Sequence, residues 1–286
     1  MKRAKRTIVI LSLALAGCQV SVADPTLTPQ VFSVRILATT ATTPLLRDLV
    51  QAYAPLRTVI AVDSVEANWQ TIAEWLRSGD APFALTTYLP PETSLWAAPL
   101  GQDGIAIVVH PTNAVPSLTV DNLRRIFQGR STSWAALGGP CIPLTVVSRE
   151  DGADTRLAFD GLVMDGQPTL PAARLALSSA RVVDLVADDP GAIGYVSMAF
   201  VDERVRAVPL AASSAESAVA PTPQTVASGE YPLRTPLLIV GPQPPAETGV
   251  YRDWFAWMQG EEGQAVVGLR YAPLGVAELA GMSVES

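Results

Sequence analysis

From residue 32 onward, short apolar runs alternate with stretches in which apolar positions recur three and four residues apart. FSVRILA (32–38) reads as a buried strand, and residues 43–53 place Leu45, Leu46, Leu49 and Val50 on one helical face. TVIAVDSV (58–65) predicts a second strand, residues 69–77 a helix with Ile72, Trp75 and Leu76 on one side, and residues 83–87 a third strand. A helix between two strands returns the chain to the same end of a sheet, so this rhythm predicts parallel pairing.

The pattern persists further along. GIAIVVH (104–110) predicts a strongly apolar strand, and a helix begins near Thr119 or Val120, turns Leu123, Ile126 and Phe127 inward and stops at Gly129. LTVVSR (144–149) predicts a strand that leads through Glu150-Asp151-Gly152-Ala153-Asp154-Thr155 into a helix over 155–164. Asp188-Asp189-Pro190-Gly191 predicts a turn ahead of a strand over 192–196. Residues 211–229 are mostly Ala, Ser, Thr, Val and Pro without either period, which predicts a long mobile surface loop. A strand at 236–242 and a helix over 249–269, with Trp254, Phe255, Trp257 and Met258 inward, complete an α/β pattern without internal repeats.

The first thirty residues obey other rules. A basic MKRAKR precedes the apolar run 7–17, which is too short to span a bilayer and predicts a signal peptide over 1–17. Leu15-Ala16-Gly17-Cys18 resembles the lipobox of bacterial lipoproteins, so Cys18 is expected to carry lipid and to anchor the chain at a membrane surface. Each buried lipid methylene contributes about 0.8 kcal/mol to that anchoring. Residues 18–30, with Pro25 and Pro29, then form a lipidated tether. With Cys18 modified, Cys141 has no thiol to pair with and is expected to be a small buried residue.

Composition narrows the function. At 286 residues, and roughly 150 per domain, the chain predicts two lobes. Apolar residues at 49% and charged residues at 16% exclude global disorder. Without Lys2, Arg3, Lys5 and Arg6 the balance is 16 basic against 27 acidic residues, a poor match to nucleic acid. One histidine, His110, and two cysteines cannot assemble a His/Cys metal cluster, and no cofactor motif is present. A hydrolase reading fails for lack of a Gly-x-Ser-x-Gly turn or a partner for His110, which is read as structural. Asp188-Asp189 are read as turn residues and Glu261-Glu262 as a solvated helix face.

Five blocks carry a family resemblance: residues 105–139, SREDGADTR (148–156), DDPGAIGYVS (189–197), YPLRTPLLIV (231–240) and 254–274. In this order the chain resembles the phosphate-binding-protein-like solute-binding proteins that serve ABC importers. The resemblance implies an α/β, two-lobed type II periplasmic binding protein fold, each lobe a mixed sheet flanked by helices, joined by two hinge strands near Ile105 and Leu237. Residues 31–107 and 236–286 would form lobe 1 and residues 108–235 lobe 2. The function implied is capture of a small oxyanion, phosphate or a relative, by an extracytoplasmic, lipid-anchored monomer that hands it to an ABC permease, with no catalysis. A sensor or scaffold lipoprotein with a diverged cleft is the alternative.

The same resemblance points to site residues. In ATTATTPLL (38–46), Thr40 would donate its hydroxyl with Thr39 and the Ala41 amide nearby; Thr39, Thr40, Thr42 and Thr43 serve equally well as caps of the following helix. In the run Arg149 to Thr155, Arg149 matches the ligand-binding arginine, able to grip two oxygens at once, and Thr155 a hydroxyl donor, with Gly152, Ala153 and Asp154 between them. An Arg149–Asp151 ion pair is the alternative role, and Arg149→Ala is expected to cost binding and little stability. Ser64, Thr86 and Thr87 are further neutral contacts. Ala153 stands where the family has Ser and Asp154 where it has Gly; Glu66 lies in Ser64-Val65-Glu66-Ala67-Asn68, which replaces a segment that is glycine-rich in the family; Pro82 and Tyr88 occupy a loop that usually carries Asp and Arg there. A carboxylate about 4 Å from an anion costs on the order of 4 kcal/mol at an effective dielectric near 20. Asp154 and Glu66 are therefore expected to point away from a phosphate, or the ligand is a different one.

Overall fold

A computed structural model describes residues 32–54 and 60–275. The expected signal peptide, the expected lipidation at Cys18, the expected tether and the strand start expected at 58 all lie outside the described residues. Periodicity and structure agree over β1 (Phe32–Thr39), α1 (Thr43–Tyr53), β2 (Ile60–Ala67) and α2 (Trp69–Ser78). The Asn68 side chain accepts from the Thr71 amide to start α2, and Gly79, at a φ of 82°, ends it. A short β3 (Ala84–Thr86) is followed by β4 (Trp96–Val109), which begins eight residues before the apolar run that announced it. After β5 (Leu118–Thr119), α3 (Val120–Phe127) opens with a reciprocal cap between Thr119 and Asn122.

β6 (Thr145–Arg149) leads into α4 (Asp154–Phe159), which widens into a π turn over Asp160–Met164 instead of continuing as one helix. β7 (Arg174–Ala176) and α5 (Ser179–Ala187) were not predicted; α5 buries Val182, Val183, Leu185 and Val186 and so lacks a narrow apolar stripe. β8 (Ala192–Ser197) follows the expected turn, in which the Asp189 carboxylate accepts from the Gly191 amide at 2.9 Å. β9 (Arg206–Ala207), β10 (Leu210–Ala211) and α6 (Pro223–Ala227) come next. The loop expected over 211–229 is thus corrected: a Thr222/Thr225 cap starts α6, and fully buried Val226 pins it to the core. After β11 (Arg234–Gly241), the single helix expected over 249–269 is two, α7 (Val250–Gln259) and α8 (Glu261–Val267), because Gly260 is extended. β12 (Ala272–Pro273) follows.

The strands form a sheet in the order β2-β1-β3-β11-β4-β8-β6-β7, with β9 and β12 also on β4. β1 is parallel to β2 and β3, and β6 to β7 and β8, whereas β11 and β4 run against their neighbours. β4 connects the two halves: residues up to Gly104 pair with β11, and from Ile105 the partner is β8. In β1, Val34, Ile36 and Ala38 pack with Leu45, Leu46 and Leu49 of α1, while Leu37 faces Trp69, Ile72 and Leu76 of α2. Strand alternation thus gives the sheet two covered faces. Cys141 is exposed, not buried as expected, in the loop after Gly138-Gly139-Pro140.

Candidate functional site

The loops after β1, β3 and β6 build the site. The register of β1 on β3, Leu37 with Ala84 and Ala38 with Leu85, sets Thr40 level with Thr87 when continued past the strand ends. Asp154, the first residue of α4, is fully buried. Its Oδ2 accepts from the Thr87 hydroxyl at 2.9 Å and the Thr87 amide at 3.4 Å; its Oδ1 accepts from the Thr155 amide at 2.8 Å and the Thr155 hydroxyl at 3.4 Å. Four donors, two from the loop after β3 and two from the first turn of α4, therefore converge on one carboxylate. Thr40, only 6% exposed, carries a buried hydroxyl with no hydrogen-bond partner.

The surrounding residues hold this arrangement in place. The Gly152 carbonyl accepts from the Gln70 amide at 3.2 Å, and a Cβ at Gly152 would press on the Gln70 and Asn68 side chains, so the loop sits close against the start of α2. Buried Ala153 precedes α4 without a capping side chain. The Thr42 hydroxyl donates to the Leu85 carbonyl at 3.0 Å, tying the loop after β1 to β3, and caps no helix amide, which corrects the capping alternative. The Thr39 hydroxyl meets that of Thr42 at 3.2 Å, and the Thr39 carbonyl accepts from the Thr42 amide. The Ala41 carbonyl accepts from the Tyr271 hydroxyl at 2.8 Å.

Three expectations need correction. Ser64 is exposed and lines a groove of about 380 Å³ between α1 and β2, with Arg47, Gln51 and Glu66, apart from the Asp154 cluster. Glu66 accepts from the Thr43 hydroxyl at 2.6 Å in that groove. Asp154, in contrast, points inward. Arg149 is fully buried at the end of β6, but its guanidinium is already held: Nε and one terminal nitrogen bind both oxygens of Glu150 at 3.0 and 2.9 Å. Nε also reaches the Ala176 carbonyl at 3.2 Å, and the other terminal nitrogen the Ser179 hydroxyl at 3.2 Å. The fork that would grip a ligand grips Glu150. The Arg149–Asp151 pair does not form; Asp151 is exposed and lies 3.7 Å from Arg156.

Sequence reasoning missed a second buried carboxyl. Asp103, 1% exposed on β4, lies two residues before Ile105, where the strand changes partner. Burial pushes its carboxyl up to about 8, outweighing the Ser197 hydroxyl and the Gly104 and Met198 amides that favour ionisation. The nearby Asp154 charge adds to the rise, and Asp103 Oδ1 has no hydrogen-bond partner. Burial also holds the Tyr271 hydroxyl well above its ordinary value, with Asp103 and Asp154 contributing and the Ser197 hydroxyl opposing. Asp103, Ser197, Tyr271 and Ala41 thus link β4, the end of β8 and the loop after β1. An acid directly before the apolar GIAIVV was the available signal. His110 is a turn residue, its Nδ1 2.8 Å from the Thr112 hydroxyl.

Known proteins share this architecture. The model of the PBP superfamily domain matches residues 23–262. The phosphate-binding protein PstS of Bacillus subtilis is 35% identical over 132 residues, 46% of this chain and 41% of that protein; PstS 2 of Streptococcus pneumoniae is 30% identical over 132 residues, 43% of each. The chain spans less than half the length of these curated relatives. Among solved structures, a Clostridium perfringens protein assigned as a phosphate ABC transporter substrate-binding protein, with bound phosphate, superposes with a TM-score of 0.79 at 26% identity, covering 85% of this chain and all of that one. An ABC-type phosphate transport receptor from Vibrio cholerae gives 0.67 at 26% identity over the same shares. A phosphate-bound periplasmic phosphate-binding protein, PfluDING, gives 0.72 at 15% identity over 88% and 93%, a likeness of fold alone. With its mixed sheet split between two halves by one long strand, the chain belongs to the PBP superfamily and has the type II periplasmic binding protein fold.

Proposed function

We propose that this chain is an extracytoplasmic solute-binding protein that captures a small oxyanion, phosphate or a relative, between two lobes and delivers it to an ABC permease without chemical change. The observation that carries this reading is the convergence of the Thr87 and Thr155 hydroxyls and amides on one carboxylate, with the buried, unpartnered Thr40 hydroxyl on the loop whose register is level with Thr87. Donors that hold a carboxylate are the donors that hold an oxyanion. Names of the relatives support phosphate as the first ligand to test.

The lobes are proposed as residues 31–107 with 236–286, and 108–235, because β4 exchanges β11 for β8 at Ile105. The protein acts as a monomer, tethered through lipid on Cys18, and binds neither cofactor nor nucleic acid. Calorimetric titration of the full chain in detergent with phosphate, sulfate and molybdate tests the reading: saturable heat with one of them is expected, and none with any would refute it. A second reading, a sensor or scaffold lipoprotein, is favoured by one observation, the engagement of Arg149 by Glu150. It predicts no ligand-induced rise in melting temperature.

A further inference from the structure

We propose that Asp154 is a built-in counter-ligand: its carboxylate occupies the donors of Thr87 and Thr155, and an oxyanion binds by displacing it. This inference rests on the oxyanion reading above and adds the residue that sets its affinity.

The geometry is that of a bound anion. Asp154 is fully buried, and its two oxygens take both the amide and the hydroxyl of Thr87 and of Thr155. These four donors come from the loop after β3 and from the first turn of α4, which follows β6, on either side of the strand β4 that connects the halves. An incoming oxyanion competes for the same hydrogens and meets a like charge. Compensating cations are committed elsewhere: Arg149 to Glu150, and Arg156 to Asp160 at 2.6 Å. The described residues contain no lysine. The Thr40 hydroxyl, buried and unpartnered, is one donor that Asp154 leaves unused. Asp154 therefore lowers affinity and holds the two loops together before ligand arrives.

The experiment titrates inorganic phosphate into full-length wild type, Asp154→Gly and Asp154→Asn by calorimetry, with thermal melts to establish that each variant folds. Asp154→Gly is expected to bind phosphate at least about tenfold more tightly than wild type, with Asp154→Asn between them. In small-angle scattering, ligand-free Asp154→Gly is expected to be more expanded than wild type and to contract on adding phosphate. If wild type binds phosphate and both folded variants bind it equally or more weakly, the counter-ligand is overturned while the oxyanion reading stands. If wild type and variants alike give no heat with phosphate, sulfate or molybdate, that reading falls and the inference falls with it.

Discussion

Arg149 looked from its position in the chain like a free guanidinium whose removal would cost binding alone. In the fold its side chain is fully buried and paired with Glu150. Arg149→Ala is therefore expected to destabilise the protein by about 3–5 kcal/mol, because Glu150 would lose its partner in a largely buried place. Urea midpoints measure this; a loss within about 0.5 kcal/mol would contradict the pairing. Asp103 makes a prediction of a different kind. Between the ordinary value of 3.8 and about 8, the folded protein keeps a proton that the unfolded chain has released. Stability therefore falls as pH rises through that window, by up to about 1.4 kcal/mol per unit, and the decline stops above it. Asp103→Asn should remove this component, so that between about pH 5 and about pH 8 wild type loses stability relative to the variant. Parallel stability profiles would show that Asp103 is not held neutral.

Among the elements, β4 is the one whose extent the apolar pattern understated. Its first residues, Trp96 to Pro99, are partly or fully exposed against β11, and its second half is buried throughout against β8. An apolar run announces only the second kind of pairing. At Gly101, with φ at 153°, a Cβ would collide with the Ala272 carbonyl oxygen, where β12 pairs antiparallel with β4. Gly101→Ala should cost about 1–3 kcal/mol and lower the melting temperature, whereas Gly166→Ala, also at positive φ but with open space around it, should cost less. Equal losses at the two positions would mean that the β12 contact adds nothing. α6 shows the opposite error: its five residues are too few for a helical period, so its cap and the burial of Val226 defined it, not its composition.

For the molecule as a whole, ligand linkage is the expected signature. A hundredfold excess of a true ligand over its dissociation constant stabilises the folded state by about 2.7 kcal/mol, and a scaffold gains nothing. A thermal-shift screen of the full chain against phosphate, sulfate, molybdate and small organic acids should give one rising series; no shift in any would favour the scaffold reading. Hydrophobic periodicity was enough to read the α/β alternation and the loops that carry Thr40 and Thr87, because strand and helix periods are local properties of neighbouring side chains, while the family likeness rested on five blocks of residues in order. Where Asp154 and Arg149 direct their side chains was set by tertiary structure alone. A carboxylate or guanidinium within a loop can face ligand, solvent or a neighbour, and the choice depends on which donors and acceptors the fold brings within hydrogen-bond reach. Thr87 is 67 residues from Asp154, and no local pattern in the chain records that they meet.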